Sequence, residues 1–335
     1  MSIFNALTQY RDIPDIPIVE VLRGTTHDGP GMRATVFVKG CPLACRWCQN
    51  PEAISLEPEI WTEARNCIAC GECVNTCTHG APGFENGGIQ IRRDICKSCG
   101  GCVEACPAQA ITFTGACRTE DDLFREVLKD RHYYANSGGG VTVSGGEPLL
   151  YADFLTGFFM RLRKEGVHTA LDTCGHGPAI SLLRLLNHSD MLLYDIKLID
   201  SEAHRQFTGV GNEIILGNLQ AAADFIRQAR DNKNREIQLW VRTPLIPNAT
   251  ADPENIGRIA WFIAKNVPDV LGRWELCAFN PACHSKYARL GQPWAYEGQP
   301  LLKKSFVNAL RDVAVRGGVP EGLLAVTGIM EQDVM

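Results

Sequence analysis

The sequence predicts an α/β fold with mainly parallel strands, into which a small α+β domain is inserted at residues 60–116. Three observations predict it. From Thr119 onward, short β-rich runs alternate with segments of helical spacing, the pattern of parallel α/β architectures. Residues 60–116 carry two similar cysteine runs and differ in composition from both flanks. Between the first strands and that segment lies Gly40–Cys41–Pro42–Leu43–Ala44–Cys45–Arg46–Trp47–Cys48–Gln49–Asn50–Pro51–Glu52, with spacing Cys-x3-Cys-x2-Cys. The predicted domains are therefore 1–59 (arm, first strands and three-cysteine loop), 60–116 (insert) and 117–335 (the rest of the α/β unit and a C-terminal helix).

Each element follows from local pattern. Residues 1–16 read as an irregular arm. Pro17–Arg23 and Ala34–Lys39 are short and β-rich, and Asp28–Gly29–Pro30–Gly31–Met32–Arg33 between them reads as a loop. Glu120–Arg131 places Leu123, Phe124, Val127 and Leu128 on one helical face. Ser137–Pro148 reads as a strand running into a glycine-rich loop, where missing side chains let backbone approach a ligand. Helices are expected at 152–164, 178–187, 201–207, 212–230, 252–266 and 301–315. Asp252, Pro253 and Glu254 open one of them. Strands are expected at 168–172, 191–197, 236–242 and 273–278. In such folds functional residues gather where strands end, as do Asp172–Thr173, Asp195–Lys197 and Arg242.

Composition narrows the function. The 335 residues suffice for one large unit and a small one. A net charge of −5 without a basic block argues against nucleic acid as partner. No apolar run approaches a membrane span, and Met1–Arg11 lacks the pattern of a signal peptide. Fifteen cysteines in such a chain argue for metal ligation in a reducing cytoplasm rather than for a disulfide framework.

Cys41, Cys45 and Cys48 can ligate three irons of a cubane and leave the fourth open to an exogenous ligand, whereas closed structural sites use four protein ligands. The competing readings are three unrelated buried thiols or part of a zinc site. Cys67-x2-Cys70-x2-Cys73-x3-Cys77 is repeated about 29 residues later as Cys96-x2-Cys99-x2-Cys102-x3-Cys106–Pro107. These runs match those of bacterial two-cluster ferredoxins, in which the fourth cysteine of each run ligates the other cluster. The match assigns one cluster to Cys67, Cys70, Cys73 and Cys106, and another to Cys96, Cys99, Cys102 and Cys77. Thr78 departs from the pattern where proline is expected, at a position that is not a ligand.

Cys-x3-Cys-x2-Cys followed by Gly145–Gly146–Glu147–Pro148 resembles the radical S-adenosylmethionine (SAM) superfamily. Asp28–Gly-Pro-Gly-x-Arg33, Asn50–Pro51–Glu52, Ser137-Gly-Gly-Gly-Val-Thr-x-Ser-Gly-Gly-Glu-Pro148, His204-x3-Thr208–Gly209-x2-Asn212-x2-Ile215-x2-Asn218 and Lys286–Tyr287-x2-Leu290–Gly291 narrow the likeness. They resemble the glycyl radical enzyme activating enzymes, in the subgroup with a two-cluster ferredoxin-like insert. The likeness runs from about residue 18 to about 292 and implies a partial (β/α)6 barrel. It also implies three 4Fe-4S clusters, one of them binding SAM. SAM would be cleaved reductively to methionine and a 5′-deoxyadenosyl radical, which would take a hydrogen atom from a glycine of a partner glycyl radical enzyme. A flavodoxin or ferredoxin-type protein would supply electrons, and activity would be lost in air.

The resemblance also implies roles. Gly145, Gly146 and Glu147 match the motif that receives the methionine amine; Trp47 and Gln49 match positions beside adenine and cluster, although the family often has His where Gln49 stands. Asp195 and Lys197 match a SAM-binding strand end at which Lys197 pairs with the methionine carboxylate. Asp172, Thr173 and Asp195 resemble a monovalent-cation site, Asn255 a ribose contact, and Asp28 a contact to the partner's glycine loop. Cys117, Cys174, Cys277 and Cys283 fit no cluster spacing and read as small buried hydrophobes. The insert clusters could relay electrons or dock a protein. The alternative function is another radical SAM enzyme, with auxiliary clusters, acting on a small molecule or peptide; a third reading is an electron-transfer ferredoxin fused to a scaffold.

Overall fold

The computed structural model describes residues 15–85, 88–233 and 235–333, so the predicted arm lies, but for its last two residues, outside the described residues. Strand β1 (Asp15–Thr25) turns back into β2 (Arg33–Val38), and the three-cysteine loop follows. Next come β3 (Ile60–Thr62), α1 (Glu72–Thr76), β4 (Pro82–Glu85), β5 (Gly88–Ile91), α2 (Gly101–Glu104) and β6 (Ile111–Phe113). β7 (Ala116–Thr119), α3 (Glu120–Val127) and α4 (Arg131–Ser137) lead to β8 (Gly140–Gly145). Then α5 (Ala152–Lys164), β9 (His168–Thr173), α6 (Ala179–Leu186) and β10 (Met191–Asp195) alternate. They are followed by α7 (Ser201–Thr208), α8 (Glu213–Lys233), β11 (Gln238–Leu245) and α9 (Pro253–Asn266). The chain ends through β12 (Leu271–Ala278), α10 (His284–Leu290), α11 (Lys304–Arg316) and β13 (Leu324–Thr327).

Among the described residues, the main sheet has nine strands in the order β13-β12-β11-β10-β9-β8-β2-β1-β7. β2 and β8 through β12 run parallel and form the expected partial (β/α)6 barrel, which parallel β13 extends at one edge. Antiparallel β1 and β7 extend the other. Alternation along each strand separates two faces. Val36, Val143, Leu171, Leu192, Val241 and Leu276 face outward and pack with Leu155, Phe158, Leu182, Leu219, Ile259 and Leu310 of the helices, all fully buried. The inward face carries Thr35, Thr142, Ser144, Asp172, Asp195, Arg242 and Glu275. An apolar plug of Ala170, Met191 and Leu193, with Trp240 against it, lies below them.

Three helix starts rest on side-chain caps: Thr119 Oγ1 accepts from Asp122 N (3.0 Å), Asp200 Oδ1 from Ala203 N (2.9 Å), and Asp252 Oδ2 from Asn255 N (2.9 Å). The sequence-based helix over 120–131 in fact ends at Val127. One 3-10 turn follows, and α4 begins at Arg131, because Asp130 is drawn to Arg23 of β1 (2.6 Å). Local pattern also gives no sign of β7, β13 or α10; the two strands are short edge strands recognisable only through their partners.

Residues 60–113 form two antiparallel ribbons, β3–β6 and β4–β5, with α1 and α2 beside them. The next main-sheet strand already starts at Ala116. The sequence repeat is repeated in the backbone. Ala69 and Ser98 both take left-handed φ (56° and 48°), and Gly71 and Gly100 follow them with φ 80° and 86°.

Candidate functional site

The three-cysteine loop leaves β2 and is tied down on both sides. Cys41 N donates to Ile54 O (2.9 Å), Ala44 N to Thr208 O (2.7 Å) and Arg46 N to Phe207 O (3.1 Å), so the end of α7 holds the loop. The Gly145–Gly146–Glu147 turn is stapled beneath it, with Gly146 N donating to Val38 O and Glu147 N to Gly40 O, each at 2.8 Å. Only glycine fits here. A Cβ on Gly145, at φ +106°, would stand 2.5 Å from Val38 N, and one on Gly146 2.0 Å from Gly40 O.

Cys41, Cys45 and Cys48 are half-buried and close enough to act on one another electrostatically. Burial pushes the Cys45 thiol up to about 12, and the Cys48 thiol also goes up. The thiols of Cys45 and Cys48 would stay protonated at neutral pH unless a cationic core took them as thiolates, so this donor set fits an iron–sulfur cluster. Among the described residues, no three His, Cys, Asp or Glu side chains gather closely enough to hold a single metal ion; a cubane asks instead for one thiolate per iron.

Glu147 is fully buried, and burial raises its carboxyl pKa. Its oxygens accept from Leu149 N (3.0 Å), Thr173 Oγ1 (2.5 Å), Cys174 N (2.9 Å) and Cys174 Sγ (2.8 Å). The carboxylate therefore clamps the glycine-rich turn to the end of β9. Thr173 Oγ1 also accepts from Gly175 N (2.8 Å), so its hydroxyl is engaged within the protein.

The next layer is charged. Lys197 Nζ lies 2.5 Å from Asp195 Oδ2. Burial opposes its charge, but Asp195 and the sulfurs of Cys45 and Cys174 outweigh that, and its pKa rises. Asp172 accepts from Ser144 Oγ (2.7 Å) and Arg242 Nη1 (3.3 Å), and Arg242 Nε lies 3.6 Å from Glu275. Asp28 is half-buried and turned inward. It accepts from Thr35 Oγ1 (2.7 Å) and stands within the electrostatic reach of Asp172 and Arg242. Arg33 secures that loop from beneath, donating to Thr142 Oγ1 (2.7 Å), Val141 O (3.0 Å) and Pro30 O (3.2 Å).

Burial first, then Asp195 and Asp28, raise the Asp172 carboxyl to about 7 against the pull of Arg242 and Ser144. The folded chain then holds a proton that the unfolded chain loses near pH ~4. This contribution to stability is complete at low pH and disappears as pH rises through that window to about 7. The melting temperature of the protein is expected to fall across it, and Asp172→Asn to flatten the fall. Superimposable profiles for the two proteins would rule this out.

Several polar residues of the sequence motifs are backbone clamps. Asn212 Nδ2 donates to Leu198 O and Ile199 O (both 2.9 Å), and Asn218 Nδ2 to Gly175 O and Gly177 O (both 2.8 Å). Asn255 is neither a surface residue nor an open group: its amide donates to Lys197 O (3.2 Å) and Thr250 O (3.1 Å) and accepts from Ile199 N (3.0 Å). These asparagines shape the loops leaving β9 and β10.

Trp47 is buried with Leu198, Ile246, Phe279, Tyr287, Trp294 and Tyr296. Phe279 and Tyr287 stack on Trp294 at 5.9 and 5.7 Å. Gln49 turns outward, its Nε2 donating to Asn280 O (3.1 Å). The group joins Trp47 of the cysteine loop and Leu198 and Ile246, just after β10 and β11, to four aromatic residues of the stretch 279–296.

Two recesses lie among the described residues of the segment 60–113. One is lined by Cys67, Cys70, Cys73 and Cys106, the other by Cys77, Cys96, Cys99 and Cys102. Backbone amides point at sulfur in both: Ala110 N to Cys106 (3.2 Å), Ala81 N to Cys77 (3.4 Å) and Ser98 N to Cys96 (3.4 Å). α10 connects this segment to the three-cysteine loop. Tyr287 Oη donates to Cys48 O (3.1 Å), Lys286 Nζ to Asn50 Oδ1 (2.8 Å) and Glu52 (2.6 Å), while Arg289 pairs with Glu63 (2.7 Å) over the Trp61 ring.

Residues 27–206 match the family described as a 4Fe-4S single cluster domain. The chain is 35% identical over 302 residues to the (2S)-3-sulfopropanediol dehydratase activating enzyme of Klebsiella oxytoca, covering 89% of this chain and 92% of that one. It is 37% identical over 289 residues to the trans-4-hydroxy-L-proline dehydratase activating enzyme of Clostridioides difficile, covering 86% and 91%. In fold it resembles the crystal structure of a radical SAM methyltransferase from Sphaerobacter thermophilus, with TM-score 0.51 and 15% identity over 94% of this chain and 77% of that one.

Barrel, cysteine loop and relatives together define a radical SAM enzyme that carries an iron–sulfur cluster. More narrowly, the chain belongs to the glycyl radical enzyme activating enzymes. It is an oxidoreductase that uses SAM to place a radical on a glycine of a partner glycyl radical enzyme. When bound, the cluster supplies the electron that splits SAM into methionine and the 5′-deoxyadenosyl radical.

Proposed function

We propose that the chain is a three-cluster activating enzyme, with the SAM-binding cubane on Cys41, Cys45 and Cys48 and the other two in a ferredoxin-like inserted domain spanning about residues 60–116. The pairing of the insert cysteines carries this reading. Each recess is lined by three cysteines of one run and the last cysteine of the other, the crossed arrangement of two-cluster ferredoxins. Amide-to-sulfur contacts in both favour thiolates.

The chain's own residues then orient SAM. Lys197, kept charged by Asp195, pairs with the methionine carboxylate. The Gly145–Gly146–Glu147 backbone, pinned under the cluster loop, receives the amine, while the buried Glu147 side chain holds that turn in place. Trp47 and Gln49 border the adenine. Asp172, Thr173 and Asp195 offer oxygen ligands to a monovalent cation beside the carboxylate, with Arg242 already balancing part of their charge. Asn255 supports the ribose side through its grip on the backbone at 197–199. Asp28, on the inward face, meets the glycine loop of the partner.

A flavodoxin or ferredoxin-type protein delivers electrons, and the insert relays them. Cys70 and Cys99 are the exposed cysteines of the two runs, and α10 holds the insert rigidly against the radical-generating loop. Substituting either by alanine is expected to leave a single SAM cleavage by chemically reduced enzyme intact but to cut repeated turnover with the protein donor at least about tenfold. Undiminished repeated turnover in both variants would end the relay reading.

A further inference from the structure

The glycine run Gly138–Gly139–Gly140 leads into β8, at the opposite end from Gly145 and Gly146, so the cofactor side of the barrel does not use it. It packs instead against the loop that carries Asp28. A Cβ on Gly139 would stand 1.8 Å from Met32 O, and one on Gly31 2.4 Å from Gly139 N, while Met32 N donates to Ser137 Oγ (2.9 Å). The loop is therefore seated backbone against backbone.

Two hydrogen-bond chains converge on Asp28 within that loop. Thr35 Oγ1, which also meets Thr25 Oγ1 (2.9 Å), donates to Asp28 Oδ2 (2.7 Å). Arg33 Nε donates to Thr142 Oγ1, and Thr142 Oγ1 donates to Asp28 O, each at 2.7 Å. Thr35 and Thr142 are fully buried, so water does not compete for either bond. Among the described residues, none donates to Asp28 Oδ1, which leaves one oxygen of a half-buried, inward-facing carboxylate open.

We infer that Thr35 and Thr142 are positioning residues for the partner, holding Asp28 so that its open Oδ1 accepts a backbone N–H of the partner's glycine loop. This rests on the reading of Asp28 as the contact to that loop. A carboxylate oxygen is a strong acceptor for a backbone N–H. Glycine, having no side chain, lets its backbone come within about 3 Å of the wall. An acceptor already fixed through both its carboxylate and its carbonyl loses little freedom on binding. The bond is made equally before and during hydrogen-atom transfer, so it strengthens binding without accelerating the chemical step.

The test follows glycyl radical formation by electron paramagnetic resonance in anaerobic, reduced holoenzyme with SAM. The probe is the full-length glycyl radical enzyme on which wild-type protein raises that signal, offered over a range of concentrations. Thr35→Val keeps the side chain's shape and removes its hydroxyl. It is expected to raise KM for the probe about tenfold while kcat stays within about twofold of wild type. Thr35→Ser keeps the donor and is expected to show the wild-type KM. A KM for Thr35→Val within about twofold of wild type, a loss carried by kcat, or an equal rise in Thr35→Ser overturns the inference. If Thr35→Val does not fold, Thr142→Val decides by the same two constants. An unchanged KM in Asp28→Ala overturns the partner-contact reading and this inference with it. That result is distinct from a raised KM in Asp28→Ala beside a normal one in Thr35→Val, which overturns the positioning role alone.

Discussion

Cys45→Ala is expected to abolish 5′-deoxyadenosine release, leaving the level of a protein-free control, while the fold survives. The fold survives because the loop is held by backbone bonds that alanine keeps: Ala44 N to Thr208 O and Arg46 N to Phe207 O lie on either side of the substituted residue. On the proposed ligation, activity disappears because two remaining thiolates, from Cys41 and Cys48, would leave two irons without protein ligands, and an open cubane position is useful only when the others are filled. On the three-cluster reading proposed above, iron content should fall by about a third. Anaerobic iron analysis with chromatographic assay of the nucleoside checks both parts. Release at a rate comparable to wild type would mean that another group holds the iron.

Glu147→Ala is expected to cost about 3–5 kcal/mol, a large part of a typical domain's stability. Alanine strands the hydroxyl of Thr173 and the N–H groups of Leu149 and Cys174 in a region without access to water. Glu147→Gln should cost less, because it keeps the shape and one carbonyl oxygen and removes a buried charge that burial already disfavours. Its amide, however, turns an N–H group toward another N–H group. Urea unfolding of anaerobic protein measures both. Midpoints indistinguishable from wild type for Glu147→Ala would show that the carboxylate is not the clamp described. The same loss should lower cluster incorporation, because Gly146 N and Glu147 N carry the cysteine loop on their bonds to Val38 O and Gly40 O.

Much of this centre was legible in the chain itself. Cys41, Cys45 and Cys48 lie within one loop, so their spacing alone limits what they can bind. The two insert runs likewise state their crossed pattern in their spacing, and the recesses bring the same eight cysteines together in that pattern. The alternation that produced β8 through β12 and their helices is equally local, since a strand or helix face is set by neighbours two to four residues away.

Other features depend on residues distant in sequence. Asn255 resembled a ligand group, and only its contacts with Lys197 O and Ile199 N show it gripping backbone. Cys174 carried no pattern; its two bonds to Glu147 arise where the ends of β8 and β9 converge. The aromatic group around Trp47 and the strap of α10 belong here too, as do edge strands β7 and β13. Spacing along the chain determined which cysteines can share a cluster and where strands and helices alternate. Tertiary structure alone decided which polar side chains face the ligand space and which are spent on backbone, because a hydrogen-bonding group takes its role from whatever partner packing brings within about 3 Å.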